Sequence, residues 1–302
     1  MNVLITGGSG FIGSHVAEYF YEQGHTIYIL DYTSSNVTSI PYIKLPYNIL
    51  EPICEQLFAD YQFDVVVHLA AQVSVSASFQ DPYYDAEVNI IGLIRMLELS
   101  KKYHVKQFIF ASSAAVYGDI ASLPIEESMA TCPISPYGIS KLTGERYCKL
   151  TQHDNMNTVI LRFSNVYGPR QTVHGEGGVI INFVTNALTN APIVIHGNGL
   201  QTRDFIYVKD VAAAIYKASF SPSGTYNIST ATETSVTEIA HIITTLRPEL
   251  SIQYGPQRPG DIQHSRLSYE LAKQQLDWHP RYSFEQGLHE TYEWFQQQFL
   301  LI

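Results

Sequence analysis

The sequence predicts an α/β fold built on a doubly wound parallel sheet, followed by a smaller C-terminal α/β domain. Its first half contains short apolar runs rich in valine, isoleucine and phenylalanine, which are typical of buried parallel strands: Val3–Thr6, Thr26–Asp31, Val65–Leu69, Gln107–Ser112 and Thr158–Ser164. Longer amphipathic stretches between them predict helices over Gly13–Gln23, Asp85–Tyr103 and Tyr137–His153. Because strands and helices alternate, we expect helices on both faces of the sheet.

The domain organisation follows from a looser pattern after about Gly168. Residues 1–168 are predicted to form a nucleotide-binding domain, and residues 169–302 mainly a second domain for the substrate. Helices are predicted in this part near Val208–Ala218, Val236–Leu246 and Phe284–Phe299. The segment 206–230 has two interpretations, because it could belong to the second domain or return to the main sheet.

Composition excludes several classes of protein. The 302 residues carry a formal net charge of −10 and no basic stripe, so we expect no nucleic-acid partner. The chain has no apolar run near the roughly 20 residues that span a bilayer, and it opens on a strand rather than a signal peptide, so we expect a cytoplasmic protein without a membrane partner. Cys54, Cys132 and Cys148 predict neither disulfides nor a zinc site, and no histidine pairing indicates a metal.

A glycine-rich turn after the first strand predicts a dinucleotide site of the Rossmann type. Gly7, Gly10 and Gly13 would permit a tight turn and bring a pyrophosphate close to backbone N–H groups at a helix N-terminus. Asp31 ends the second predicted strand, where a carboxylate can accept both ribose hydroxyls of NAD and would repel the additional phosphate of NADP. We therefore expect NAD. The competing interpretations are an ordinary turn for the glycines and a loop cap for Asp31.

A tyrosine and a lysine one helical turn apart form the candidate catalytic pair. Tyr137 and Lys141 would project from one face of a helix that starts near Pro136. A free tyrosine has a pKa of about 10, and a nearby ammonium group favours the phenolate, so Tyr137 is a candidate proton acceptor. Ser113 follows a predicted strand and could hydrogen-bond the reacting oxygen at the sheet edge where ligands bind. The alternatives are a surface helix and a serine that caps a turn.

Four segments carry a resemblance to a known family: Thr-Gly-Gly-Ser-Gly-Phe-Ile-Gly from Thr6, His-Leu-Ala-Ala-Gln from His68, Ser-Ser-Ala-Ala-Val-Tyr-Gly from Ser112, and Leu-Arg-Phe-Ser-Asn-Val-Tyr-Gly-Pro-Arg from Leu161. Over nearly its whole length the chain resembles the extended short-chain dehydrogenase/reductase family, and within it the nucleotide-sugar epimerases and dehydratases similar to UDP-glucose 4-epimerase. The resemblance implies that Ser113, Tyr137 and Lys141 are catalytic. It implies NAD contacts from Gly7, Gly10, Phe11, Ile12, Gly13, Asp31, Asn48, Ile49, Leu69, Ala70, Ala71, Asn89, Tyr137, Lys141 and Phe163.

The resemblance also implies a UDP-sugar substrate, with contacts from Ser113, Asn165, Val179, Arg203, Arg258, Asp261 and Ser265. Arg203 and Arg258 lie in segments that match those holding the nucleoside diphosphate, and guanidinium groups suit a pyrophosphate clamp. Ser265 matches a gate beside the sugar 2-substituent, where a large tyrosine would exclude N-acetyl groups. Its small side chain predicts that N-acetylated UDP-sugars are accepted together with UDP-glucose. Asn48 stands where the family usually has an aspartate that contacts adenine, and an amide can still bond the base.

Two alanines narrow the reaction that the resemblance implies. Dehydratases of this group usually carry an Asp-Glu pair at the positions of Ala114 and Ala115, because eliminating water needs a second acid and base. The expected reaction is therefore 4-epimerisation: Tyr137 removes the proton of the sugar 4-hydroxyl while hydride passes to NAD, and the 4-keto sugar then turns over and takes the hydride back on its other face. Ser113 would hold the reacting oxygen, and Lys141 the nicotinamide ribose.

Other functions stay open on the sequence alone. They are a uronate epimerase, dehydratase or reductase of nucleotide sugars on the same scaffold and, from another class, a non-catalytic NAD-binding regulatory protein. The intact Ser113, Tyr137 and Lys141 favour an enzyme. The resemblance also implies a two-fold homodimer, in which the helices Asp85–Tyr103 and Tyr137–His153 pair with their copies.

Overall fold

The computed structural model of the chain describes residues 1–33, 36–37, 39–151, 156–172, 178–257 and 263–300. The strands in these residues are β1 Asn2–Thr6, β2 Thr26–Leu30, β3 Ile43–Leu45, β4 Val65–His68, β5 Gln107–Ser113, β6 Asn157–Phe163, β7 Asn165–Tyr167, β8 Ile193–His196, β9 Thr202–Arg203, β10 Phe205–Tyr207, β11 Gly224–Ile228, β12 Thr234–Ser235 and β13 Ile252–Gly255. Within this part of the chain, seven strands form a parallel sheet in the order β3-β2-β1-β4-β5-β6-β11.

The α-helices of the described residues are α1 Phe11–Glu22, α2 Cys54–Tyr61, α3 Val75–Gln80, α4 Pro82–Ala86, α5 Leu93–Lys102, α6 Pro136–Thr151, α7 Val179–Leu188, α8 Val208–Ala218, α9 Val236–Leu246, α10 Glu270–Leu276 and α11 Phe284–Phe299. A π-helical turn spans Glu87–Gly92, and a 3₁₀ turn spans Ala114–Val116. In the part of the chain that the structure describes, none of the helices has the length and apolar character needed to cross a membrane.

The central sheet is covered by helices on both faces, as the continuous apolar strands require. Val3 and Ile5 on β1 pack in one apolar cluster with side chains of α1 and α8. Leu4 points to the opposite face, where side chains of α2, α5 and α6 complete a second cluster. The predicted doubly wound α/β fold is confirmed, and the five strands predicted in the first half match β1, β2, β4, β5 and β6 to within one residue at each end.

The second half of the chain contributes both to this sheet and to a smaller layer. β11 lies beside β6, and α8 packs against α1, so the segment 206–230 supplies part of the central sheet and its cover. β8 and β13 pair in parallel and share a third apolar cluster with α7, α9 and α11. Two further short strand pairs, β7 with β10 and β9 with β12, belong to the segments that connect the central sheet with this smaller layer.

The helix predicted over Asp85–Tyr103 differs from the observed structure. α4 ends at Ala86, the π turn follows, and α5 begins only at Leu93. Asn89 lies in this wider turn, and its side chain bonds both the backbone N–H and the backbone C=O of Gln72 at 2.9 Å. An extra residue in one turn rotates Asn89 toward the loop after β4, which a regular helical period cannot indicate.

Candidate active site

The carboxyl ends of neighbouring parallel strands meet at one edge of the sheet, and many predicted site residues lie there. Gly7 follows β1, Asp31 follows β2, and Leu69 follows β4, while Ser113 and Phe163 are the last residues of β5 and β6 and lie opposite each other in register. The strand order reverses between β1 and β4. Such a switch point opens a crevice outside the strand ends, where ligands of doubly wound sheets bind.

The glycine-rich turn allows two backbone segments to approach closely. Gly7 has φ +70, and a Cβ atom there would lie 2.7 Å from the backbone N of Ala70. A Cβ atom on Gly13 would lie 2.3 Å from the carbonyl oxygen of Gly7. Gly10 is the N-cap of α1, and Phe11 and Ile12 are its first residues. The structure therefore brings the predicted glycines together with the Leu69–Ala71 loop.

This turn fits the phosphates and ribose of a dinucleotide. α1 begins without an acidic residue in its first turn, so its N-terminal N–H groups can face an anion. Ser9 donates its backbone N–H to Asp31 Oδ2 at 3.0 Å, and its Oγ is buried without a hydrogen-bond partner among the described residues. Asp31 Oδ1 accepts from the backbone N–H and hydroxyl of Thr33. A carboxylate has about four acceptor sites, so Asp31 caps this turn and can still accept from a ribose hydroxyl.

Two predicted cofactor contacts, Asn48 and Asn89, are amides already bonded within the protein. Asn48 Oδ1 accepts from the backbone N–H of Leu50 at 3.0 Å, and Ile49 beside it is buried. The Asn89 amide, besides its bonds to Gln72, donates to Asp85 Oδ1 at 3.0 Å. Both amides thus shape the backbone around the crevice, and their contacts with NAD stay predictions.

The start of α6 places the candidate catalytic pair. Pro136 is the first residue of α6, and Ser135 Oγ accepts from the backbone N–H of Gly138 at 3.1 Å, a side-chain bond typical of a helix N-terminus. Lys141 Nζ lies 5.7 Å from the centre of the Tyr137 ring. The same ammonium group donates to the carbonyl oxygen of Ala111 on β5 at 2.9 Å. The structure therefore brings Tyr137 and Lys141 together at the end of β5.

Burial controls the charges beside this pair. Burial lowers the pKa of Lys141 to about 8, and the nearby Asp85 carboxylate opposes this shift. Most of the Lys141 side chains therefore still carry a proton at pH 7. Burial, assisted by the Lys141 cation, lowers the pKa of His68 to about 3, so this imidazole is neutral at pH 7. His68 Nδ1 lies 2.9 Å from the Thr6 hydroxyl, whose Oγ1 accepts from the backbone N–H of Ala70.

Ser113 lies at the junction of β5 and the 3₁₀ turn. Its Oγ accepts from the backbone N–H of Ala115 at 3.2 Å, which is a cap of that turn. A hydroxyl that accepts one bond can still donate its own proton, so this contact is compatible with bonding a substrate oxygen. A Cβ atom on Gly138 would lie 2.7 Å from the carbonyl oxygen of Ala115. The glycine thus lets α6 approach the turn that carries Ser113.

A buried carboxylate joins three segments on the predicted substrate side. Asp204 accepts from the hydroxyl and backbone N–H of Thr230, and from the backbone N–H groups of Ala231 and Leu267. Burial raises the pKa of Asp204 to about 6, against the effect of these donors. Arg203 precedes it on β9, and the backbone N–H of Asn165 donates to the Asp204 carbonyl oxygen at 2.9 Å.

The remaining predicted substrate residues are only partly described. Ser265 is partly buried and lies two residues before Leu267. Because the backbone N–H of Leu267 donates to the Asp204 carboxylate, the segment of Ser265 is held near Arg203. Arg203 donates to the carbonyl oxygen of Thr202 at 2.8 Å. Val179 is the first residue of α7. Arg258 and Asp261 lie outside the described residues, so their predicted roles stay predictions.

Sequence reasoning missed four polar residues around the site. Ser9 and Asp204 are those described above, and Glu145 of α6 and Arg162 of β6 form a buried ion pair. Glu145 stands four residues after Lys141, so its position on the same helix face was readable from spacing. The partners of Asp204 lie 26 to 63 residues away along the chain, which local pattern does not reveal.

The fold and this site define an α/β protein of the doubly wound, dinucleotide-binding class, with a tyrosine–lysine pair at the carboxyl edge of its sheet. The model of the NAD dependent epimerase/dehydratase family matches residues 3–229. The chain belongs to this family, and its cofactor is NAD, which confirms the prediction from the glycines and Asp31.

Similar proteins include UDP-sugar epimerases. A putative UDP-glucose 4-epimerase of Methanocaldococcus jannaschii is 38% identical to this chain, and the match covers 97% of each sequence. The structure of a UDP-glucose 4-epimerase from Thermotoga maritima with UDP-glucose is 37% identical, with a TM-score of 0.94 over 99% of this chain and 100% of that one. The structure of a UDP-N-acetylglucosamine 4-epimerase from Methanobrevibacter ruminantium in complex with UDP-N-acetylmuramic acid is 33% identical, with a TM-score of 0.93 over 98% of each chain.

The depressed pKa of Lys141 predicts how the free energy of unfolding depends on pH. Between about pH 8 and 10.5 the unfolded chain binds the lysine proton while the folded protein has released it, so folding gains stability as the pH rises. Relative to a Lys141→Met variant, the wild type should therefore gain about 1.4 kcal/mol per pH unit in this window. Below pH 8 the difference should be constant. Denaturant unfolding of both proteins from pH 7 to 10.5 measures it, and parallel curves would contradict the burial of this charge.

Proposed function

We propose that the chain catalyses the NAD-dependent 4-epimerisation of a UDP-sugar, with UDP-glucose and UDP-galactose as one substrate pair. The observation that carries the proposal is the assembly of Ser113, Tyr137 and the buried Lys141 at the carboxyl edge of a dinucleotide-binding sheet. The epimerases among the similar proteins support the same reaction.

Each residue has a defined task in this reaction. Tyr137 accepts the proton of the sugar 4-hydroxyl and later returns it, because the Lys141 cation favours its phenolate form. Ser113 donates a hydrogen bond to the reacting oxygen. NAD, when bound, supplies a hydride acceptor that is restored in each turnover. Lys141 keeps its proton at neutral pH, since the Asp85 carboxylate partly offsets the effect of burial.

The turn after Ser113 favours epimerisation over elimination. Ala114 and Ala115 occupy the positions beside the catalytic serine, and a methyl group cannot exchange protons with a sugar carbon. Elimination of water needs a further acid and base on neighbouring carbons. A site with one proton-transfer group can therefore oxidise and reduce the same carbon, which is sufficient to invert it.

Replacing the phenol of Tyr137 tests this function. Tyr137→Phe should lower kcat by at least about 100-fold, because general acid–base groups contribute on this scale. Purified protein is incubated with UDP-glucose without added NAD, and UDP-galactose is followed by chromatography. The matched control is Tyr254→Phe, since Tyr254 is an exposed residue of β13 and should leave turnover unchanged. Undiminished inversion by Tyr137→Phe refutes the mechanism, and a dehydrated product or a need for added reductant would replace it with a dehydratase or reductase.

We propose that the sugar pocket also accepts UDP-N-acetylglucosamine and its 4-epimer, UDP-N-acetylgalactosamine. Support comes from the small side chain of Ser265, whose segment is held to Asp204 beside Arg203. A similar epimerase acts on UDP-N-acetylglucosamine.

A larger residue at this position should separate the two substrate classes. Ser265→Tyr should lower kcat/KM for UDP-N-acetylglucosamine by roughly 10- to 100-fold, because an overfilled pocket excludes the N-acetyl group, while UDP-glucose turnover falls much less. Steady-state kinetics with both sugars measure the ratio. Wild-type turnover of UDP-glucose alone, or an equal loss for both sugars in the variant, would contradict the assignment.

We propose a homodimer formed through α6 and the π turn before α5. Their outer faces expose large apolar side chains, with Leu150 72%, Ile91 56% and Ile139 53% accessible. Exposed apolar patches on helices are typical of interfaces. The division into an NAD-binding part, 1–168 together with 206–230, and a mainly sugar-binding part in the rest of 169–302 is likewise a proposal, as is the cytoplasmic location.

A charge placed in this face should prevent association. Ile91→Glu combined with Leu150→Glu should shift the protein from dimer to monomer, because each protomer would bury two carboxylates without partners in the interface. Light scattering coupled to gel filtration measures the mass. The matched control is Leu200→Glu, which changes an exposed leucine outside these helices and should leave the mass unchanged. A wild type that is monomeric at micromolar concentration contradicts the proposal.

A further inference from the structure

The catalytic helix carries a third ionisable side chain on the face of Tyr137 and Lys141. Glu145 follows them at the same spacing of four residues and is fully buried. Both of its oxygens are bonded by Arg162 of β6, from Nε to Oε1 at 2.8 Å and from Nη2 to Oε2 at 2.6 Å. This is a bidentate pair, which is the strongest geometry for a guanidinium and a carboxylate.

The ion pair extends into a buried network that reaches the strand of the catalytic serine. Ser112, directly before Ser113, donates its hydroxyl to Glu145 Oε1 at 2.6 Å. Arg162 Nη1 donates to the Tyr117 hydroxyl at 2.8 Å, and its guanidinium carbon lies 4.8 Å from the centre of that ring. Tyr117 in turn donates to Asn227 Oδ1 on β11 at 2.7 Å. The network therefore ties α6 to β5, β6, β11 and the turn after Ser113.

We propose that the Glu145–Arg162 ion pair positions the catalytic pair. It fixes the register of α6 on β5 so that Tyr137 and Lys141 face Ser113, and it keeps the adjoining core neutral so that Lys141 is the charge that acts on Tyr137. This inference rests on the proposed epimerase function. Glu145 and Arg162 are positioning residues, since they act through Lys141 and Ser112 rather than on the substrate.

The register part follows from two consecutive anchors on β5. Lys141 Nζ bonds the carbonyl oxygen of Ala111, and Glu145 bonds the side chain of the next residue, Ser112. Between these anchors α6 approaches so closely that a Cβ atom on Gly144 would lie 2.8 Å from the Phe110 ring. A shift of the helix by one residue would break both bonds together. Because misplacement by about 1 Å can cost 100-fold in rate, such a register constraint has catalytic value.

The charge part follows from the groups that face Lys141. Asp85 of α4 is the carboxylate that acts on it, while His68 of β4 and Cys148 of α6 are neutral, because burial lowers the pKa of His68 and raises that of Cys148. Glu145 lies one helical turn from Lys141, and its charge is compensated by Arg162. Removing either partner would leave a buried charge next to the site. This charge would shift the pKa values of the Tyr137–Lys141 pair by roughly one pH unit.

Stability alone does not account for this pair. Replacing a buried ion pair by neutral side chains of similar size is often neutral or stabilising, whereas removing one partner is destabilising. The consequences for stability and for catalysis can therefore be separated with single and double variants.

The experiment compares pH profiles of kcat for the wild type and four network variants. Glu145→Gln leaves the Arg162 cation and should move the limbs of the profile to lower pH, whereas Arg162→Met leaves the Glu145 anion and should move them to higher pH. The double variant restores neutrality, so its limbs should return to the wild-type positions while kcat stays at least about 10-fold low, because the register bonds are lost. Arg162→Lys keeps the charge, so its limbs should not move. In all four, KM for UDP-glucose should stay within about 2-fold, because the substrate segments around Asp204 are untouched.

Ile160→Ala is the matched control for stability, since Ile160 is fully buried on β6 and contributes to the same core face. It should lower Tm by roughly 5–10 °C and leave the profile and kcat as in the wild type. The double variant and Arg162→Lys keep the test decisive if the single variants do not fold, because neither carries an uncompensated charge. Limbs that move in the same direction for both single variants, or a double variant with wild-type kcat, overturn the inference. A wild type that inverts no UDP-sugar overturns the proposed function and the inference together.

Discussion

The constraint on which the site depends is the burial of one ammonium group at the edge of a parallel sheet. Lys141 is only 4% exposed, and its proton is retained because the Ala111 carbonyl oxygen accepts its hydrogen bond and the Asp85 carboxylate lies nearby. In a region of low dielectric constant, the same charge acts strongly on the Tyr137 ring. The neutral state of His68 prevents a second cation from competing with it.

The sequence predicted those features that depend on spacing within one element. The glycines at 7, 10 and 13 and the pair Tyr137 and Lys141 are separated by three or four residues, so their common face follows from helical or turn geometry. The strands were equally readable, because buried parallel strands are continuous apolar runs. The place of Ser113 at the end of β5 followed from the same pattern. Fold and cofactor could therefore be obtained from local pattern combined with family resemblance.

Features that depend on contacts between distant segments could not be read in this way. The π turn is set by the bonds of Asn89 to Gln72, and nothing in the apolar period marks it. Asp204 stands between a polar Gln-Thr-Arg segment and an apolar run, where an acidic residue indicates no particular role until its donors from Thr230 and Leu267 are seen. Arg162 likewise reads as an interruption of an apolar strand, and its partner is known only once α6 is packed on β6. Buried polar groups need partners, but the sequence does not state which.

The place of β11 has a consequence for how the chain can be divided. Because β11 covers the outer edge of β6 and α8 covers α1, the nucleotide-binding half lacks part of its sheet and of its apolar cover unless residues beyond 206 are present. A fragment that stops at residue 168 would leave a bare strand edge and an uncovered helix, both of which promote aggregation. Residues 1–168 are thus not expected to fold as an independent unit, because β11 and α8 of the second half complete their sheet and its apolar cover.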